Sequence, residues 1–224
     1  MAHPELIAML THHDKTVEGS KEIFLAAKDA PAKFWGFKDV GLTKEEIIDL
    51  VNTMKAAGKT TFLECLAFDE PAGLKAAHLA IECGFDVIMG TVYYDSIGEL
   101  VEKHGIKYLP FIGNLVNGIL YGTIEDTVAD AVAVAKKKVT GVDLCGYRYV
   151  DGDPAQLIKA VVDAVSKETG KPVCCVGSVD SYEKLDTIKN AGVWAFSIGG
   201  AFFEEKFGKT FAEQIAVVED YLKK

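Results

Sequence analysis

The chain has 224 residues, 49% hydrophobic and 25% charged, with 24 Lys+Arg against 33 Asp+Glu and a formal net charge of −9. The apolar fraction excludes a disordered or low-complexity chain, and no run approaches the roughly 18–20 apolar residues of a membrane-spanning helix. The acidic balance disfavours direct nucleic-acid or membrane binding, yet leaves room for a local basic pocket that takes a small anion.

The elements alternate along the chain. A strand over Leu6–Leu10 precedes a helix over Glu18–Ala27, and a strand over Phe34–Lys38 follows. Thr43-Lys-Glu-Glu46 reads as a capping box that opens a helix through Ile47, Ile48, Val51 and Met54 and stops before Gly58. A strand over Thr61–Ala67, a helix over Pro71–Cys83 and a strand over Asp86–Thr91 come next. Ser96-Ile-Gly-Glu99 reads as a second capping box, for a helix ending near His104-Gly105. After a strand over Tyr108–Ile112, the apolar, glycine-punctuated connection Gly113–Gly122 reads as a lid, a subunit contact or a short extra helix. A helix over Ile124–Lys137 and a strand over Val139–Gly146 follow. Asp153-Pro154, a capping acid and a first-turn proline, then starts a helix carrying Leu157, Ile158, Val161, Val162 and Val165. The chain closes with a strand over Pro172–Val176, a helix over Tyr182–Ala191, a strand over Val193–Ile198 and a helix over Lys209–Leu222.

These strands are short and apolar without polar alternation, as strands covered on both faces are. Alternation with helices requires parallel pairing and right-handed crossovers. Eight strand segments, a start on a strand, an end on a helix and no Gly-x-Gly-x-x-Gly turn after the first strand select a closed (β/α)8 TIM barrel over an open dinucleotide-binding sheet. No linker divides the chain, so one domain over residues 1–224 is expected, with no cofactor. The beginning, Met1-Ala-His-Pro-Glu5, has no signal-like run. Cys65, Cys83, Cys145, Cys174 and Cys175 lack zinc-knuckle spacing. Buried reduced thiols in a cytoplasmic protein are the expectation.

In such barrels chemistry collects at the carboxyl ends of the strands. After the seventh and eighth strands come Gly177-Ser178 and Gly199-Gly200, the latter opening a short helix; bare backbone N–H groups there suit a phosphate, and tight turns are the bland alternative. Lys38 closes the second strand, and Glu64 stands among apolar neighbours on the third. The two make either a catalytic acid/base pair or a buried structural ion pair. Asp143 is a second embedded acid, a base or a hydrogen-bonded core residue, and Arg148 reaches for an anion at the mouth or lies in solvent. His12 or His13, beside Asp14, supplies a general base or metal ligands. Tyr93 and Asn114 are expected as substrate-contacting pocket walls, whereas His3, His78 and His104 read as surface residues.

The paired loops Gly177-Ser178 and Gly199-Gly200 resemble the ribulose-phosphate-binding barrel superfamily, which includes orotidine-phosphate decarboxylase, indole and histidine pathway isomerases and thiamine phosphate synthase. The whole-chain layout also resembles, more loosely, the glycerol-3-phosphate-responsive antiterminator barrels. The resemblance implies phosphate handling and leaves the reaction open. The decarboxylase array Asp-x-Lys-x-x-Asp is absent, because Gly36 and Gly41 flank Lys38 at its acidic positions, so that mechanism does not carry over.

The leading expectation is a lyase or isomerase acting on a small phosphorylated carbonyl or sugar compound. The Gly177 and Gly199–Gly200 backbones would hold phosphate, while Lys38 polarises the carbonyl or forms an imine and a carboxylate moves the proton. The alternatives are a non-catalytic barrel that senses a phosphometabolite, and a metal-assisted hydrolase built on His12 or His13 with Asp14, Glu64 and Asp143. The apolar Leu115–Tyr121 segment points to a homodimer. Gly199→Val and Gly200→Val are each expected to abolish anion binding with the fold intact.

Overall fold

A computed structural model describes residues 3–224. Eight parallel strands close into a barrel. In chain order they are Glu5–Met9, Phe34–Lys38, Thr60–Ala67, Val87–Val92, Lys107–Phe111, Val142–Leu144, Val173–Cys175 and Ala195–Ile198. Neighbours in sequence are neighbours in space, and the last strand pairs with the first, Glu5 opposite Ala195. The (β/α)8 barrel expected from the alternation is the observed fold.

Period-two alternation of side chains sorts the strands into two cores. One row from each strand points outward to the helices; Trp35, Phe37, Leu63 and Leu144 belong to this outer layer. The other row fills the barrel with Ile7, Met9, Phe62, Val87, Met89, Leu109, Cys174 and Ala195. Lys38, Glu64 and Asp143 fall on this inward row, two residues along from Gly36, Phe62 and before Cys145 respectively. The alternation that packs the barrel therefore aims these three charges into it.

The helices start where their caps dictate. Thr43 and Glu46 form the expected reciprocal capping box on Lys44–Ala56, and the Asp153 side chain caps Pro154–Thr169. The box at Ser96 does not form. That helix, Asp95–Lys103, begins earlier, with Tyr94 at its cap position, and the Ser96 hydroxyl donates to Glu70 instead. All five cysteines are buried and free. No helix among the described residues is long and apolar enough to cross a membrane.

Two tight hairpins rise from the barrel mouth. The segment expected as a lid, contact or helix is the hairpin Asn114–Val116 with Ile119–Tyr121. Asn117 (φ 51°) and Gly118 (φ 75°) form its two-residue turn, the geometry of a type I′ hairpin, which wants Asn-Gly. The second hairpin pairs Thr11–His12 with Lys15–Thr16 just after the first strand, where the sequence analysis placed only the strand end. The sixth strand is shorter than expected at both ends, and after it Gly146–Arg148 turns into a 3-10 helix, which carries Arg148 to the mouth.

Candidate functional site

The first-strand hairpin turns on His13 and Asp14, at φ 49° and 59°. Left-handed backbone at non-glycine residues costs on the order of 1–3 kcal/mol each and needs support from its surroundings. Thr16 supplies it. Its hydroxyl donates to the Lys38 carbonyl (2.7 Å) and accepts the Lys38 N–H (3.0 Å). The Thr16 N–H reaches the Val40 carbonyl, and Gly41 leaves room for the approach, since a Cβ there would stand 2.4 Å from the Thr16 carbonyl oxygen. The hairpin is thereby stitched to the end of the second strand, and Asp14 lies over Lys38.

Lys38 and Glu64 are direct register partners on adjacent strands. Lys38 Nζ is 2.8 Å from Asp14 Oδ1 and 3.7 Å from Glu64 Oε1. Burial alone would push the Lys38 ammonium down; the carboxylates of Glu64 and Asp14 outweigh it and hold the group above the ordinary lysine value. The Lys38 hydrogen bond in turn lowers Asp14. Lys38 is therefore a charged ammonium at neutral pH.

Asp143 differs in kind. It is completely buried, and neither carboxyl oxygen has a hydrogen-bond partner among the described residues. Burial first, and the charge of Glu64 second, push its carboxyl well above the ordinary carboxylate range. That environment favours the neutral acid, whereas the sequence analysis expected a base or a hydrogen-bonded core residue.

The last two strand-to-helix loops face this cluster across a cavity of about 340 Å³. The backbone N–H groups of Gly177, Ser178, Gly199, Gly200 and Ala201 have no hydrogen-bond partner among the described residues. Gly177 lets the Arg148 side chain cross the loop, for a Cβ there would lie 2.8 Å from Nε. Lys184 braces the loop from behind, donating to the Ser178 carbonyl (2.7 Å) and pairing with Asp180 (2.8 Å). Gly199 packs under the first hairpin, where a Cβ would stand 2.6 Å from the Thr11 carbonyl oxygen. Thr11 Oγ1 and His12 Nε2, both buried, are also without hydrogen-bond partners, and His12 Nε2 lies 3.7 Å from Glu204. A buried polar atom without a partner costs free energy, and a ligand that hydrogen-bonds to Thr11 Oγ1 or His12 Nε2 recovers it.

The cavity gathers Lys38, Glu64, His12, His13, Arg148, Gly177, Ser178, Gly199 and Gly200 from the expected set. Asp143 joins only through charge, against Glu64 and Lys38. Tyr93 and Asn114 do not join. They line a separate cavity of about 630 Å³ with Phe111 and Tyr121, and the Tyr93 hydroxyl donates to Asp95. The fourth and fifth strands, which Tyr93 and the hairpin beginning at Asn114 follow, lie across the barrel from the eighth and first. His78 is exposed on its helix and His104 caps one, its ring 2.9 Å from the Leu100 carbonyl. Sequence reasoning missed Asp14 as the partner of Lys38, Thr16 as the stitch, and the lining residues Ser197 and Glu204. His13-Asp14 carries no Asn-Gly turn signal, so nothing announced a hairpin that folds Asp14 back. Among the described residues no three His, Cys, Asp or Glu side chains are grouped to hold a metal ion.

No protein-family model matches the chain, and no curated protein matches it by sequence. Its fold has clear counterparts. Orotidine 5′-phosphate decarboxylase from Pyrococcus horikoshii OT3 superposes with a TM-score of 0.73 at 16% identity, covering 98% of this chain and 99% of that one. N-acetylmannosamine-6-phosphate 2-epimerase from Clostridium perfringens gives 0.64 at 14% identity, over 88% and 86%. A glycerol uptake operon antiterminator-related protein from Thermotoga maritima gives 0.55 at 18%, over 89% and 97%. The chain shares the barrel fold of these proteins. Both resemblances read from the sequence are upheld at the level of fold.

Proposed function

We propose that this barrel is an enzyme of lyase or isomerase type acting on a small phosphorylated carbonyl or sugar compound. The observation that carries the reading is one cavity with two unlike walls. One wall is the unpartnered amides of Gly177, Ser178, Gly199, Gly200 and Ala201, with Arg148 across Gly177; the other is the Lys38–Glu64 pair. The amides and Arg148 hold the phosphate, and that remote binding energy sets the carbonyl against Lys38. Glu64 takes the proton next to the carbonyl, and the Lys38 ammonium donates to the oxygen on which negative charge develops. Burial favours the protonated form of Asp143, which lies in the field of Glu64 and Lys38. Two of the barrels with this fold carry a phosphorylated compound in their names, which supports the phosphate half of the reading.

Imine chemistry fits less well, because it needs an uncharged amine and Lys38 is held as the ammonium. The test is calorimetric titration with sugar phosphates and their dephosphorylated counterparts, followed by a turnover screen with borohydride present. Saturable binding of the phosphorylated members alone, turnover lost in Lys38→Gln, and no reduced adduct on Lys38 are expected. Equal binding of both sets overturns the phosphate assignment. Tight phosphate-dependent binding with no turnover of any compound makes the protein a sensor.

A further inference from the structure

We propose that Asp14 is an exchangeable counter-ion whose carboxylate holds the place of a carboxylate on the ligand, so that the pocket takes a phosphorylated carboxylic acid. The inference rests on the phosphate reading above and adds a second anionic group to it.

A single oxygen, Asp14 Oδ1, lies 2.8 Å from Lys38 Nζ and 4.0 Å from an Arg148 guanidinium nitrogen. Two cations, one closing the second strand and one on the turn after the sixth, converge on one carboxylate. An arginine fork matches the plane of a carboxylate, and a lysine ammonium beside it adds a compact positive charge. The two acids near Lys38 are unlike. Glu64 projects from a barrel strand and its side chain is 12% exposed; Asp14 hangs from the tip of a two-residue turn and is 56% exposed. Glu64 is the permanent partner and Asp14 the removable one. His13 and Asp14 are both held in the left-handed region, so the tip that carries the carboxylate is strained and is poised to relax when displaced.

Charge balance points the same way. Lys38 meets both Asp14 and Glu64, and Arg148 meets Asp14. A ligand carboxylate arriving with Asp14 still in place would set a third carboxylate beside Lys38, and exchange removes that repulsion. The corner also adjoins the amide wall, because Arg148 crosses Gly177 within 2.8 Å of where a Cβ would stand. One small molecule in the cavity of about 340 Å³ can therefore engage both ends.

The test uses two compounds with one carbon skeleton, 3-phosphoglycerate and glycerol 3-phosphate, titrated by calorimetry into the full chain and into Asp14→Asn and Arg148→Gln. The wild type is expected to bind 3-phosphoglycerate at least tenfold more tightly. Asp14→Asn, which removes the competing charge and keeps the shape, should tighten 3-phosphoglycerate at least threefold and leave glycerol 3-phosphate within twofold. Arg148→Gln should erase the preference. Equal affinity for the two compounds in the wild type overturns the inference and leaves the phosphate reading standing. So does an Asp14→Asn chain whose preference is unchanged or reduced, since Asp14 would then be a fixed support of Lys38. Binding of neither compound overturns both.

Discussion

Two hairpins of the same backbone geometry stand on opposite sides of the barrel mouth, and their turns are built from different residues. Asn117-Gly118 meets its left-handed backbone with the residues that adopt it most readily, and the hairpin covers a mainly apolar cavity lined by Tyr93, Phe111 and Tyr121. His13-Asp14 takes the same conformation at greater cost, is stitched down through Thr16, and delivers a carboxylate to a buried lysine. Conformational cost is higher where side chains are needed for charge, and lower where the hairpin only covers a wall.

Three experiments can break or sharpen that contrast. The largest effect is expected at Asp143, which stands on the seam: its register partner Phe111 lines the apolar cavity, while its charge partners Glu64 and Lys38 line the polar one. Its folded carboxyl is pushed above the unfolded value of about 4, so the folded chain binds a proton that the unfolded chain releases, and folding loses stability as pH rises above that value. Asp143→Asn removes this titration. Its stability relative to wild type should grow by up to about 1.4 kcal/mol per pH unit above pH ~4, read by urea unfolding across pH. Parallel profiles for the two proteins would show that Asp143 ionises freely and that the polar side extends across the seam.

Next in size is the packing of the charged side. Gly199→Ala places a Cβ 2.6 Å from the Thr11 carbonyl and 3.2 Å from Met9 Cβ, so it should cost about 1–3 kcal/mol of stability. Gly200→Ala meets the His12 ring at 3.6 Å and Glu204 Oε1 at 3.9 Å, ordinary van der Waals contacts, and should unfold like wild type. The expectation that valine at either position spares the fold is thus corrected for Gly199, whose role is to let the first hairpin approach. Thermal melts of the alanine pair separate the two; equal melting temperatures would remove the structural assignment.

The smallest effect tests the turns themselves. Asn tolerates the left-handed region better than His, so His13→Asn should stabilise by about 0.5 kcal/mol and Asn117→His should destabilise by a similar amount. Denaturant midpoints of the same sign for both variants would mean that the hairpins do not differ in strain.

The barrel was legible because its signals are local and repeated. Apolar runs of strand length, the Thr43 and Asp153 caps and the alternation itself each need only neighbouring residues. Lys38 and Glu64 were legible as a pair because adjacent parallel strands hold a simple register. The Asn117-Gly118 hairpin was present in the sequence as a turn signal flanked by apolar residues, yet the long apolar segment around it also suited a lid or a helix. Tyr93 and Asn114 misled because a strand's carboxyl end specifies a face of the barrel and not which of two cavities on that face a side chain enters.

Sequence alone determined the strand and helix rhythm, the adjacency of the strands that bear Lys38 and Glu64, and the glycines of the last two loops, since periodicity and turn chemistry act over a few residues. Only the tertiary structure decided that Asp14 reaches Lys38, that Asp143 is left without a partner, and that Gly199 serves packing against Thr11. Those outcomes depend on closure of the sheet, which sets residues far apart in the chain within hydrogen-bond and van der Waals distance.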